Sequence, residues 1–162
     1  MIEDKYQIKL KAQCIKLLLL KDEVQYLDEI LLEVISDSDS WLKKLRITRS
    51  LFLTLNNVKD AVDKIQVDGD AEFISKTRGL KKELLFANHF RNRGIGHLND
   101  TLLERAVQWS PQLFVESAKT NESSQIIEAQ RTIIESCINS FVDRAGVQKV
   151  FGHEIDLVYP PD

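Results

Sequence analysis

Apolar residues recur at steps of three and four along most of this 162-residue chain, and that spacing constrains the fold more than any other feature. The longest such stripe begins at Tyr6 and ends at Val34, and it marks one face of a helix with 3.6 residues per turn. Only six Gly and three Pro interrupt the chain, so long helices can form. The first stripe predicts a helix of roughly 40 Å.

Two further long helices follow from the same spacing. One is predicted over residues 41–66, and the polar run SDSDS at residues 36–40 suits a turn and an N-cap before it. The other is predicted to begin near Ala71 and to continue toward Gly94 and Gly96, which are expected to end or disrupt it. The sequence VDGD between the two is typical of a turn.

A short helix and a last long helix complete the pattern. Thr101 and Glu104 form a capping-box pattern at the start of the short helix, and the last helix is predicted over residues 124–145. We therefore expect an all-α protein, an up-and-down helical bundle of four to five helices, in a single domain over residues 1–150. Residues 151–162 contain a double proline and are expected to form an extended or loosely ordered tail.

The overall composition is that of an ordinary globular protein. Hydrophobic residues make up 43% and charged residues 29%, and the formal net charge of −3 gives no global sign of nucleic-acid binding. Cys14 and Cys137 lie far apart in helical patterns, which favours two buried thiols in a reducing cytoplasm over a disulfide. A charged amino terminus and the shortness of every aliphatic run argue against a signal peptide and a membrane span. We therefore expect a cytoplasmic protein.

The stretch HFRNRGIGHLND, residues 89–100, is not explained by the needs of folding alone. Arg91 continues the stripe of Leu84 and Ala87, so its side chain is predicted on the buried face, with Arg93 about 200° around the helix and pointing away. An arginine on an apolar face is costly unless something pairs with it. The predicted position of Arg91 therefore indicates a role beyond packing.

Two glycines separate Arg91 from His97. On an unbroken helix these two positions would lie about 120° apart and would not converge easily. Gly94 and Gly96 can adopt positive φ, so the chain can turn there and bring His97 back toward Arg91.

The sequence from Arg91 to His97, RNRGIGH, resembles the Arg-polar-x4-6-His signature of the HEPN superfamily. Members are all-α bundle domains, and many are metal-independent endoribonucleases of prokaryotic toxin–antitoxin and abortive-infection systems. The resemblance implies RNA as substrate and a homodimer in which two motifs share one cleft. It also implies a role as a toxin or phage-defence effector, with an antitoxin protein as a further partner.

The residue types suit this chemistry. Cleavage by the ribose 2′-OH needs proton transfer, for which His97 is suited by a pKa near neutrality. Arg91 offers bidentate donors to phosphate oxygens and keeps its charge, and Asn92 is expected to orient either partner or the phosphate. Arg91, Asn92 and His97 are therefore the candidate catalytic residues.

Basic residues surround the motif in the sequence. Six lie between Lys76 and His97, against one acid, Glu83. This local excess favours a basic surface on a mildly acidic protein, although a solvated helix face is the commoner meaning of such a run. The candidates for holding the RNA backbone are Arg93, Lys81, Lys82 and His89.

Other interpretations of the same residues remain open. Arg91 would cap helix carbonyls or pair with a buried acid, His97 would be a loop residue, and His89 would be a partly exposed helical residue. A non-catalytic helical module that binds a protein or nucleotide is the main functional alternative, and an ion pair of Arg91 at a dimer interface is a third. The His and Cys spacings match no metal motif and no phosphate-binding loop follows a strand, so we expect no metal and no cofactor.

Overall fold

The computed structural model describes residues 5–65, 71–95, 100–109, 122–145, 149–150 and 153–154. Helices account for nearly all of these residues, which confirms the predicted all-α bundle. The helices are α1 (Lys5–Leu32), α2 (Ser38–Lys64), α3 (Ala71–Glu83), α4 (Leu85–Phe90), α5 (Asp100–Trp109) and α6 (Glu122–Ala145). A single π-helical turn, Arg91–Ile95, follows α4 directly, and we call it the π turn.

The predicted turn and cap between the first two helices are confirmed. Asp37 is the N-cap of α2: its side chain accepts a hydrogen bond from the Ser40 N–H at 2.8 Å, and the Ser40 hydroxyl accepts one from the Asp37 N–H at 3.0 Å. This reciprocal pair satisfies two N–H groups that a helix start leaves unpaired. Lys44 Nζ donates to the Leu31 carbonyl at 2.6 Å, which ties the end of α1 to α2.

The predicted burial along α1 is correct only in part. Leu20, Leu27 and Ile30 are buried, but Tyr6 is 48% exposed and Val34 is 86% exposed. The reason is that α1 packs chiefly on α2, and one neighbouring helix covers only a narrow strip of another. Val34 also lies beyond the last residue of α1, in the connection to α2.

The core lies where α2, α4 and α6 meet. Phe86, Phe90, Ile133 and Cys137 form its buried cluster. The Phe52 ring of α2 packs at 4.7 Å from the Phe90 ring and at 5.2 Å from the Phe86 ring, centroid to centroid. Aromatic side chains bury large areas, so this cluster holds the three helices together.

The third predicted helix is interrupted twice. Leu84 forms a turn between α3 and α4, which its sequence does not signal. The α-helical winding then ends at Phe90, earlier than predicted, and the wider π turn continues through Gly94 to Ile95. Gly96 and the expected change of direction there lie outside the described residues.

The last elements agree with the sequence in outline. Helix α6 covers the predicted range and starts two residues earlier, whereas α5 begins at Asp100, so Thr101 lies inside the helix and is not its cap. Two short strands, β1 (Lys149–Val150) and β2 (His153–Glu154), pair antiparallel. The other residues of the predicted tail lie outside the described residues.

Candidate functional site

The π turn lies against α6 because position 94 has no side chain. A Cβ atom built on Gly94 would lie 2.7 Å from Cys137 Sγ and 3.5 Å from Phe90 Cε2. Carbon and sulfur atoms do not approach this closely, so any larger residue would push the two elements apart. The predicted use of Gly94 is therefore corrected: it serves a close approach, and its φ is not in the left-handed region.

Arg91 and Arg93 are placed the other way round from the prediction. Arg91 is exposed, whereas Arg93 is half-buried. The buried stripe of this segment consists of Phe86, Phe90 and Gly94, at steps of four, and Arg91 lies about 100° from Phe90 around the helix. Leu84 and Ala87 are buried as well, so the buried face of α4 is wide, but in the π turn Gly94 and not Arg91 continues it.

Arg91 and Asn92 form a pair on the exposed side of the π turn. Arg91 Nη1 donates to Asn92 Oδ1 at 3.0 Å. A guanidinium has five N–H donors, so this bond leaves four to meet an oxyanion. The bond joins the two side chains, and a role of Asn92 in orienting Arg91 is still a prediction.

The charges of Arg93 and Arg49 act on the thiol of Cys137. Burial raises the pKa of Cys137 to about 12, and the charges of Arg93 and Arg49 act in the opposite direction. Arg49 comes from α2 and Arg93 from the π turn, so two elements contribute positive charge near this part of α6. The Nε atom of Arg49 is buried and has no hydrogen-bond partner in the described part of the chain.

These arginines have no carboxylate partner in the described part of the chain. The ion pairs found there involve Lys43, Lys59, Lys76, Lys81 and Arg131. Arg49, Arg91 and Arg93 therefore keep their positive charge unneutralised by the described residues, in and around the π turn. An exposed arginine without a carboxylate partner, such as Arg91, favours an anion, because charge-assisted hydrogen bonds from arginine to phosphate are strong and bidentate.

His89 is placed differently from the prediction. Its side chain is 9% exposed, so the expected partial exposure is wrong, and its Nε2 lies 2.9 Å from Ser140 Oγ. The Ser140 hydroxyl donates to the Cys137 carbonyl at 3.1 Å, so its oxygen is the acceptor for His89 Nε2–H. The imidazole also packs against the Phe141 ring at 5.4 Å. This burial makes His89 a structural residue and a poor contact for RNA.

The two lysine candidates differ in their surroundings. Lys81 Nζ lies 3.1 Å from Asp63 Oδ1, and Lys59 lies 2.7 Å from the other oxygen of the same carboxylate. Hydrogen bonds from Lys59 and Lys81 lower the pKa of Asp63. Lys82 is exposed near the end of α3, so of the two it has the freer charge.

His97 lies in the segment 96–99, outside the described residues. The distance between Arg91 and His97 is therefore still a prediction. Within the described part of the chain the motif contributes Arg91, Asn92 and Arg93, which share the π turn.

Two residues near the site were missed by the sequence interpretation. Arg49 and Cys137 lie with Arg93 at the contact of α2, the π turn and α6. A signal for Arg49 was present, because it lies four residues after Leu45 and three before Phe52, on the face that packs inward. The predicted burial of Cys137 is confirmed, whereas Cys14 is exposed, contrary to the prediction, and both are free thiols.

Within the described residues, no group of three or more His, Cys, Asp or Glu side chains could hold a metal ion. None of the described helices combines the length and the apolar character that crossing a membrane requires.

Comparisons with known proteins give no match: no family model, no curated protein sequence and no solved structure resembles the chain closely enough to count.

Proposed function

We propose that this protein is a metal-independent endoribonuclease of the HEPN type. The observation that carries the proposal is the Arg91–Asn92 pair, which is exposed on a π turn and whose arginine has no carboxylate partner among the described residues. π-Helical turns are rare and occur often at functional sites. The pair also begins the signature that resembles the HEPN motif and that His97 completes.

The proposed reaction needs no metal ion. The ribose 2′-oxygen attacks the adjacent phosphorus, and the bond from phosphorus to the 5′-oxygen breaks, which leaves a 2′,3′-cyclic phosphate and a 5′-hydroxyl. One proton leaves the 2′-OH and one is delivered to the 5′-oxygen. Arg91 binds the phosphate oxygens and stabilises the charge that develops on them. His97 transfers protons, since its unperturbed pKa allows both protonation states near neutral pH.

The proposal includes a homodimer at the motif. A single imidazole does not easily serve as both acid and base in one step, and a second protomer would supply a second His97. By its resemblance, such an enzyme would act on cytoplasmic RNA as a toxin or phage-defence effector held in check by an antitoxin protein.

Cleavage of RNA in EDTA tests the proposal. Wild-type protein is expected to cleave single-stranded RNA, and Arg91→Ala and His97→Ala are each expected to lose activity by about a hundredfold or more. Arg91 is exposed, so its replacement should leave the circular dichroism spectrum and melting temperature unchanged. Arg46→Ala is the matched control, because Arg46 is an exposed arginine on α2, outside the motif and outside the basic run between Lys76 and His97. Equal activity in all four proteins would refute the assignment.

A binding module is the second candidate. The burial of His89 favours it, because this histidine near the motif is then not at the surface to share the proton transfers with His97. Such a module would bind RNA, or another phosphate-bearing partner, without cleaving it. Its affinity would fall steeply with salt, and Arg91→Ala would weaken binding while RNA stayed intact.

A further inference from the structure

The outer face of α1 is apolar and exposed. Large hydrophobic side chains lie uncovered along it: Ile8 is 52% exposed, Ile15 58%, Leu18 66%, Leu19 66% and Tyr26 61%. Scattered exposed apolar residues are ordinary, but a contiguous row of them marks an interaction surface.

The spacing of these residues makes them a second face of the helix. Ile8, Ile15, Leu19 and Tyr26 follow one another at steps of seven, four and seven, which is the repeat of a helix–helix seam. Leu20 and Leu27, which pack toward α2, lie about 100° away from Leu19 and Tyr26. Packing on α2 therefore explains one apolar face of α1 and leaves the other unexplained.

Charge is divided between the two halves of α1. Residues 5–21 contain five lysines and no acid, whereas residues 22–33 contain five acids and no base. The lysines are Lys5, Lys9, Lys11, Lys16 and Lys21, and the acids are Asp22, Glu23, Asp28, Glu29 and Glu33.

We propose that the outer face of α1 docks on the same face of a second copy of this chain, with the two helices antiparallel. In that arrangement the basic half of each helix lies against the acidic half of the other, whereas a parallel arrangement would oppose like charges. A two-fold axis makes the interface self-complementary, so one surface supplies both sides. A lipid surface is a poorer occupant because the acidic half of α1 would be repelled by anionic headgroups.

This surface is separate from the candidate site. On α2, Thr54 donates a hydrogen bond to Glu23 of α1, while Phe52 packs on Phe86 and Phe90 of α4. Residues two apart on a helix point to nearly opposite sides, so α1 and the π turn lie on different sides of α2. The inference therefore does not depend on the proposed ribonuclease activity, and it predicts a contact other than the motif-sharing one.

The first test is a substitution at the middle of the row. In sedimentation velocity over a concentration series, the wild-type chain is expected to associate in two steps, because the α1 contact and the motif-sharing contact are separate. Leu19→Glu is expected to raise the dissociation constant of the α1 step at least about thirtyfold and to leave the other step unchanged. Ile74→Glu is the matched control, since Ile74 is an exposed apolar residue on α3 and its replacement should leave association unchanged. A wild-type monomer at every concentration, or a Leu19→Glu chain that associates like wild type, would overturn the proposal.

Charge reversal tests the antiparallel arrangement. Lys5→Glu with Lys9→Glu makes α1 largely acidic, and Asp22→Lys with Glu29→Lys makes it largely basic. Each variant alone is expected to lose the α1 association step that wild type shows. An equimolar mixture is expected to recover that step through α1 heterodimers, and a chain that carries all four changes is expected to recover it by itself. A four-fold variant that lacks the α1 step while remaining helical would contradict the arrangement.

Discussion

The π turn and the outer face of α1 depart from the demands of folding in opposite ways. At the π turn, Phe90, Gly94 and Cys137 pack tightly, and the arginines of the turn have no carboxylate partner among the described residues. On the outer face of α1, the charges are balanced along the helix, but the apolar side chains are exposed and no described residue covers them. One region has charge without a partner and the other has apolar area without a partner.

The two regions therefore favour partners of different chemistry. Unneutralised arginines favour an anion, and a phosphodiester is an anion that a guanidinium matches in geometry. Uncovered leucine and isoleucine favour another apolar surface, and the divided charge of α1 makes a second α1 the best-matched one. The substitutions below test whether the two regions differ in packing as well as in surface character.

The largest contrast is expected between Phe90→Ala and Ile15→Ala. Phe90 is fully buried among aromatic rings, so its loss should cost about 3–5 kcal/mol of unfolding free energy. Ile15 is 58% exposed, and its loss should change that energy by less than about 0.5 kcal/mol. Urea denaturation measures both unfolding free energies, at a protein concentration too low for two α1 helices to associate. If Phe90→Ala and Ile15→Ala lowered the unfolding free energy by similar amounts, Ile15 would have to be buried in the monomer.

The two cysteines give a comparison within one molecule. Burial raises the pKa of Cys137 from 9.0 to about 12, so its thiolate fraction near neutral pH is about a thousandfold lower than that of an unperturbed thiol. Cys14 is exposed on α1. Iodoacetamide should therefore label Cys14 rapidly and Cys137 only after unfolding, as peptide mass spectrometry would show. Comparable labelling of both thiols in the native protein would contradict the packing of the π turn on α6.

The raised pKa of Cys137 also predicts that the stability of the protein depends on pH. Cys137 has a higher pKa in the folded chain than in the unfolded chain, so its contribution to stability is complete below pH 9 and is lost as the pH rises toward 12. Comparing denaturation midpoints at pH 8 and pH 10 in wild type and Cys137→Ala isolates this contribution. The decline should be smaller in the variant, and an identical decline would remove Cys137 as its source.

A smaller contrast is expected between two glycines. Gly94→Ala places a Cβ atom 2.7 Å from Cys137 Sγ and should cost about 1–3 kcal/mol of unfolding free energy. Gly79→Ala lies in a helix with nothing within 4 Å of the added atom, so it should stabilise the chain by up to about 1 kcal/mol. Thermal melts of both variants check the signs. Cys137→Ala should relieve part of the Gly94→Ala cost, because it removes the atom that the new Cβ meets.

The sequence predicts the helices well because their signals are local. The three-and-four spacing and the polar run SDSDS at residues 36–40 need no knowledge of distant residues. The face that each helix buries depends on its neighbours, and this is where the interpretation fails. It placed Arg91 inward because Leu84 and Ala87 lie on its face; both are buried, but the helix widens into the π turn after Phe90, and Gly94 instead of Arg91 continues the buried side.

The candidate site was predictable in its motif and not in its surroundings. Arg91 and Asn92 were identified from residue type and spacing, and they do form a pair. Arg49 joins Arg93 from a position over forty residues earlier in the chain, and His89 is buried by contacts with α6. Such contacts between distant segments arise from tertiary packing, which periodicity along one helix does not encode.

The most direct test of the central claim is an analysis of the RNA ends produced in EDTA by wild-type protein and by Arg91→Ala. The account predicts fragments with a 2′,3′-cyclic phosphate and a 5′-hydroxyl from wild type, formed at least about a hundredfold more slowly by the folded variant. Intact RNA after incubation with wild-type protein, or the same fragments at the same rate from Arg91→Ala, would contradict the proposed ribonuclease activity.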